Sequence, residues 1–251
     1  MAQEAIAAPD PTTVDSAEVA RFAALAADWW NPDGKFKPLH KLNPLRLEFL
    51  RDRLIDHFGR DSTSLRPFAE LRLIDVGCGG GLVAEPMTRL GFAVTGIDAG
   101  AETVAAARAH AEQIGIAIEY RAAAAETLAT AGERFDVVLA LEVVEHVPDL
   151  DAFLSAAAAL VAPGGALVAA TLNRTIKSYL FAIVGAEYML RWLPRGTHDW
   201  GKFVRPSELV GALRRNGMRT VEIAGVTYNP IEDGWSLTTH LDVNYMVLAI
   251  K

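Results

Sequence analysis

Residues 71–98 read LRLIDVGCGGGLVAEPMTRLGFAVTGID, and the fold follows from how this stretch is parsed. Residues 71–76 form a short apolar run interrupted by Asp75, which suits a central parallel strand. Gly77, Gly79, Gly80 and Gly81 follow with only Cys78 among them, so the backbone can turn sharply and a ligand can approach it closely. Residues 82–90 carry the spacing of a helix packed on a sheet, with its free N–H groups facing back toward the glycine turn. Residues 92–97 form a second apolar strand that ends on Asp98. In a doubly wound sheet that edge is where ligands bind.

Two cofactor classes use such a layout. A dinucleotide site requires G-x-G-x-x-G, whose third glycine lets helix and strand pack closely. Gly77 and Gly79 match, but Leu82 stands in the third place. The sequence D-V-G-C-G-G-G, with an acid closing the next strand, instead resembles the first motif of class I S-adenosylmethionine (SAM) methyltransferases. That resemblance implies glycines lying against the amino-acid end of SAM and Asp98 taking the two ribose hydroxyls. SAM has no pyrophosphate, so no helix N-terminus need be bared for one.

Working outward, residues 15–30 contain an N-cap acid, Asp15, with Glu18 three positions later. Val19, Phe22, Ala23, Ala26, Trp29 and Trp30 fall near one helical face. The tryptophan pair suits either a helix packed over the core or a lid over an apolar, aromatic ligand. Residues 1–14, rich in Ala, Pro and Thr, are expected to form a mobile tail. Residues 35–46 are basic and broken by Pro38 and Pro44, which predicts irregular chain until a helix starts near Pro44 and runs to about Phe58.

Beyond Asp98, residues 100–114 read as an alanine-rich helix, and residues 116–121, 135–140 and 166–170 as further strands. A helix over 206–216 and strands over 219–226 and 243–250 complete the pattern. Alternating strands and helices predict a three-layer α/β domain. The two consecutive terminal strands match the Rossmann-like class I methyltransferase fold, a seven-stranded, mostly parallel sheet whose last strand inserts antiparallel. The expected organisation is a tail over 1–15 and a single domain over 16–251, with a helical lid at 16–60 and a helical insertion at 173–203.

Bulk properties narrow the function. A formal net charge of −7 excludes the basic footprint of a nucleic-acid binder. The one cysteine, Cys78, rules out an internal disulfide, fits a reducing compartment, and has no base nearby in sequence, so it reads as a small filler. The start of the chain shows no signal-peptide pattern, and no apolar run is long enough to span a membrane.

Glu142, Glu145 and His146 cluster where the fourth expected strand meets the ligand edge. Two carboxylates and an imidazole can bind a divalent cation, or one of them can act as a base. After the third strand, Ala123, Ala124 and Ala125 stand where methyltransferases of this class place an adenine-binding acid; Glu126 follows. Residues 176–193 are apolar almost all round if helical, with Lys177, Glu187 and Arg191 on one sector and Arg174, Arg195, Lys202 and Arg205 flanking. A buried helix explains the apolarity, whereas a helix lying in a membrane interface explains the basic flanks as well.

Taken in order, W-W, G-x-F-K-P-L-H, N-P-L-R, D-V-G-C-G-G-G, E-x-x-E-H-V-P-D, T-L-N-R, G-A-E-Y, G-T-H-D-W and D-V-N-Y are similar to the bacterial ubiquinone-biosynthesis O-methyltransferase family from about Arg21 onward. The resemblance implies SAM-dependent O-methylation of polyprenylated catechols at two steps of that pathway. It implies SAM contacts from Arg46, Gly77, Gly79, Asp98 and Leu141, with Arg46 on the methionine carboxylate and Glu126 a candidate on the adenine. It also implies Mg²⁺ on Glu142, Glu145 and His146. The catalytic candidates are His146, Glu142 and His198. The expected setting is cytoplasmic and peripheral to the inner membrane through residues 176–193, beside other ubiquinone-biosynthesis enzymes. Two other classes remain open to test: a non-catalytic SAM-fold subunit anchoring a membrane-associated complex, and a nicotinamide-dependent oxidoreductase.

Overall fold

A computed structural model describes residues 13–179, 200–229 and 232–251. The expected mobile tail, apart from its last residues, lies outside the described residues, as do His198 and most of the apolar segment 176–193.

The strands are β1 (Arg72–Val76), β2 (Ala93–Asp98), β3 (Glu119–Ala122), β4 (Phe135–Leu141), β5 (Val161–Leu172), β6 (Arg219–Asn229), β7 (Gly234–Thr238) and β8 (Asn244–Ile250). They form one sheet in the order β3-β2-β1-β4-β5-β8-β6-β7. The five strands from β3 to β5 are parallel. β8 inserts antiparallel between β5 and β6, so the last strand lies where the methyltransferase reading puts it. The sheet has eight strands where seven are expected, because β7 adds an antiparallel edge to β6.

The helices are α1 (Ser16–Ala23), α2 (Lys37–Phe58), α3 (Ala84–Arg89), α4 (Ala101–Gln113), α5 (Ala125–Thr130), α6 (Leu150–Leu160), the single turn α7 (Ile176–Ser178) and α8 (Pro206–Arg215). The period-two alternation of the strands feeds two cores. Leu73, Val137, Leu139, Val168 and Leu248 point to the face covered by Phe49, Leu50 and Leu54 of α2 and Val104 and Ala107 of α4. Ile74, Val138, Leu167, Val247 and Ala249 point to the face covered by Leu128 of α5, Phe153 and Leu154 of α6, and Leu209 and Leu213 of α8. Central strands buried on both faces read as unbroken apolar runs, which is what the sequence shows.

α2 corrects one expectation. The helix begins at Lys37, within the stretch expected to be irregular up to about Pro44, and passes through that proline. Pro38 stands in its first turn, where the missing N–H would be unpaired anyway. Pro44 deprives the His40 carbonyl of its helical donor, yet Leu42, Arg46, Phe49 and Leu50 on the buried side keep the helix running. α1 behaves differently. Asp15 caps it, accepting from the Ala17 N–H at 3.0 Å, and none of its residues is fully buried. Its apolar residues Val19 and Phe22 face a cavity instead of the core.

Candidate active site

The cavity, about 500 Å³, opens at the carboxyl ends of β1, β2 and β4, a size suited to a nucleoside-sized ligand. It is covered by residues of the segment 13–39. Arg46, Gly77, Gly79, Asp98, Glu126, Leu141, Glu142, Glu145 and His146 all line it. The structure thus brings together every expected site residue that it describes.

The glycine turn is tied to the end of β2: the N–H groups of Gly77 and Cys78 donate to the Ile97 carbonyl at 2.8 and 3.0 Å. Gly77 has φ +73°, and a Cβ there would lie 2.8 Å from Val143, so the position is closed to a side chain on two counts. Asp98 accepts from Gly79 N–H at 3.2 Å and Gly100 N–H at 2.8 Å, which fixes the carboxylate at the sheet edge. Each of its oxygens keeps a lone pair free, so two hydroxyl donors can still be accepted. Burial raises its pKa above the ordinary carboxylate value, and the N–H groups of Gly100 and Gly79 offset only part of that rise.

Arg46, on the buried side of α2 and only 5% exposed, donates to Glu142 at 2.5 Å. Glu142 follows β4 in a left-handed conformation, φ +55°, sparsely populated by residues with a side chain and found more often at functional sites. Its N–H donates to the Ala170 carbonyl at 2.8 Å, which holds this conformation. Glu145 is buried and accepts from Thr171 at 2.8 Å; burial first and the Glu142 charge second push its pKa up to about 7.

His146 faces the covering segment. Its Nδ1 lies 3.3 Å from Glu18, and Phe22 meets its ring edge-on at 5.2 Å. Burial lowers the imidazole pKa, but the Glu18 hydrogen bond and the Glu145 and Glu18 charges outweigh it, so the net shift is upward. Lys202 in turn bonds Asp15 at 3.2 Å and lies 3.6 Å from Glu18, tying α1 down.

The three side chains on which Mg²⁺ is expected each have a protein partner as placed: Arg46 on Glu142, Thr171 on Glu145, and Glu18 on Nδ1 of His146. Among the described residues, no group of three or more His, Cys, Asp or Glu side chains is placed to hold a metal ion.

Two contributors, Asp75 and Glu18, escaped sequence reasoning. Asp75, at the end of β1, lines the cavity fully buried, and burial together with the Asp98 charge pushes its pKa up to about 7. A lone acid in an apolar strand was its signal. Glu18 read only as a helix-start acid. Trp29, open between core packing and a lid, lines the cavity and packs in a small cluster with Phe36 and Leu82. Cys78 is buried with its thiol pKa raised well above the ordinary value by that burial, which matches a filler and not a nucleophile.

At the chain ends of the apolar insertion, Ile176 is 78% exposed, and Tyr179 and Trp200 are also exposed. Among the described residues, two of the basic flank and the sector lysine are paired within the chain: Arg174 with Glu208, Lys202 with Asp15, and Lys177 with Asp242. Among the described residues, no helix is long and apolar enough to cross a membrane.

Comparisons with known proteins show the family. A family model described as a methyltransferase domain matches residues 44–223. The ubiquinone biosynthesis O-methyltransferase of Brucella anthropi is 56% identical over 238 residues, covering 95% of this chain and 96% of that protein. The protein of the same name from Chelativorans sp. is 55% identical over 240 residues, 96% of this chain and 95% of its own length. Among solved structures, magnesium protoporphyrin IX methyltransferase from Synechocystis with bound SAM has a TM-score of 0.65 over 98% of this chain and all of its own, at 17% identity, a likeness of fold. With identity above half over nearly the whole length, the chain belongs to the ubiquinone biosynthesis O-methyltransferase family.

Proposed function

We propose that this chain transfers the methyl group of SAM to a phenolic oxygen of polyprenylated catechol intermediates, at both O-methylation steps of ubiquinone biosynthesis. The observation that carries this is the content of one cavity: the glycine turn, Asp98 and Arg46 on one wall, and Glu142, Glu145 and His146 beside them. Asp98 and Glu126 give that cavity its acidic character, since Glu142 is paired with Arg46 and burial raises Asp75 and Glu145 to about 7. Such a lining suits a sulfonium cation and repels the pyrophosphate of a dinucleotide.

The reaction is an in-line displacement. The catechol oxygen attacks the methyl carbon, the new O–C bond forms as the S–C bond breaks, and the sulfonium becomes a neutral thioether. The phenolic proton passes to a base. His146 is that base in its neutral form, and Glu142 lies next to it along the same loop. His198 stays a second candidate. No covalent enzyme intermediate is required, so alignment and exclusion of water supply most of the rate.

The chain is organised as a single domain over 16–251, with 16–60 contributing the cover and 173–203 inserted. We place the enzyme in the cytoplasm and peripheral to the inner membrane, docked through 176–193 and adjacent to other enzymes of the pathway. Exposed Ile176, Tyr179 and Trp200 support an apolar contact. The internal pairing of Arg174, Lys177 and Lys202 makes that contact depend more on apolar burial than on salt-sensitive attraction.

Calorimetry tests the cofactor half. S-adenosylhomocysteine should bind with one site per chain and NAD should not bind. Binding of NAD in preference would return the chain to the oxidoreductase reading.

A further inference from the structure

Trp29 sits where the covering segment meets the glycine turn. Phe36 stacks on its ring at 3.7 Å with 7° between the planes. The backbone of Gly79 and Gly80 also approaches it. A Cβ on Gly79 would lie 2.4 Å from the ring, and one on Gly80 would lie 2.5 Å from the Trp29 Cβ. These two glycines therefore make room for a tryptophan as well as for a ligand.

The neighbours of Trp29 are held too. The Trp30 indole donates to the Gly80 carbonyl at 3.0 Å, and its ring stacks on His110 at 3.6 Å. His40 Nε2 donates to the Trp29 carbonyl at 2.8 Å. Trp29 is thus fixed in ring and backbone, 8% exposed, and on the cavity wall. Yet among the described residues its own indole N–H is buried with no hydrogen-bond partner. Buried polar groups in folded proteins are nearly always paired, so an unpaired donor on a ligand cavity points to a partner on the ligand.

We propose that the Trp29 indole N–H is a cofactor-binding donor, bonding a carboxylate oxygen of the amino-acid end of SAM. An indole N–H can only donate. The amino-acid end of SAM carries an ammonium, which also only donates, and a carboxylate, which only accepts. Beside the glycine turn, the carboxylate is the group of that end that Trp29 can bond. Glu126 shows the complementary condition: one of its carboxylate oxygens is buried and unpaired among the described residues, and an acceptor there suits the adenine amine. One unpaired donor and one unpaired acceptor on the same cavity match the two ends of one ligand. Cofactor binding would then be linked to placement of the cover, since Trp29 belongs to it. The inference rests on the SAM reading given above.

The test uses the full chain and two ligands, S-adenosylhomocysteine and 5′-methylthioadenosine, which lacks the amino-acid end. Trp29→Phe keeps a ring between Phe36 and the glycines and removes the N–H. The expected result is an affinity for S-adenosylhomocysteine lowered about ten-fold, the range for a hydrogen bond to a charged group, with 5′-methylthioadenosine bound as by the unaltered chain. An equal loss for both ligands makes Trp29 a packing residue and overturns the proposal. So does unchanged binding of S-adenosylhomocysteine. If the unaltered chain binds neither ligand, the methyltransferase reading fails first and the proposal falls with it.

Discussion

Arg46 and Glu142 close on each other at 2.5 Å in the cavity wall, one from the middle of α2 and the other from the strained residue after β4. If Arg46 serves the methionine carboxylate, Glu142 is the anion already in that place. Cofactor binding is then an exchange of one carboxylate for another on a single guanidinium. Glu142→Gln removes the competing charge while keeping the side chain's shape. The variant should bind S-adenosylhomocysteine at least as tightly as the unaltered chain in a calorimetric titration and methylate catechol far more slowly. A large loss of affinity would mean that the pair is structural and that Arg46 needs Glu142 to hold its position.

Asp98 is the sharpest single test of the cofactor pose. In Asp98→Ala the fold should persist, because the residue ends an edge of the site and its partners Gly79 and Gly100 are backbone groups. Two hydrogen bonds from hydroxyls to a charged acceptor contribute about 1.5–3 kcal/mol each, so affinity should fall by at least a hundred-fold. Thermal melting checks the fold, and calorimetry should find almost no binding. Affinity like that of the unaltered chain would remove Asp98 from the site.

Gly80 can be tested by adding one methyl group. In Gly80→Ala the new Cβ would lie 2.5 Å from Trp29, a separation real atoms do not tolerate. The cover has fewer buried partners than the sheet, so it should give way first. Tryptophan emission should shift to the red and S-adenosylhomocysteine should bind more weakly, while the melting transition of the sheet domain stays cooperative. An unchanged emission spectrum would show that Trp29 is not packed on the glycine turn in solution.

Asp75 makes stability depend on pH in a defined direction. Burial first and the Asp98 charge second raise its pKa from 3.8 to about 7, with Arg46 pulling the other way. Between those values the folded chain keeps a proton that the unfolded chain has released. The stability this proton confers is fully present below about pH 4 and lost as pH rises through about 7. Asp75→Asn cannot ionise. Its stability relative to the unaltered chain should therefore rise by about 2–3 kcal/mol from pH 5 to pH 8 in urea unfolding. Parallel profiles would mean that Asp75 is not buried as a neutral acid.

Much of this was legible because the decisive elements are local. The run from Arg72 to Asp98 announces strand, turn, helix and strand with no help from the rest of the chain, and β1 and β2 form within a residue or two of their expected bounds. The capping by Asp15 is equally local. What was hidden depends on distant partners. Nothing near Pro44 in sequence says that α2 is buried along one side strongly enough to run through a proline. β7 is a short edge strand, so its five residues look like loop until β6 is beside them. Glu142, Glu145 and His146 are neighbours in sequence, which suggested a shared metal. Their partners Arg46, Thr171 and Glu18 come from three different parts of the chain, which no local spacing announces.

The central claim is methyl transfer from SAM to a catechol oxygen. The most direct measurement supplies the enzyme with SAM carrying a deuterated methyl group and a catechol bearing a short prenyl tail, then follows the label by mass spectrometry and NMR. The account predicts a labelled methyl ether on the phenolic oxygen and an equal amount of S-adenosylhomocysteine. A label on carbon, or SAM left intact while the chain binds it, would contradict it.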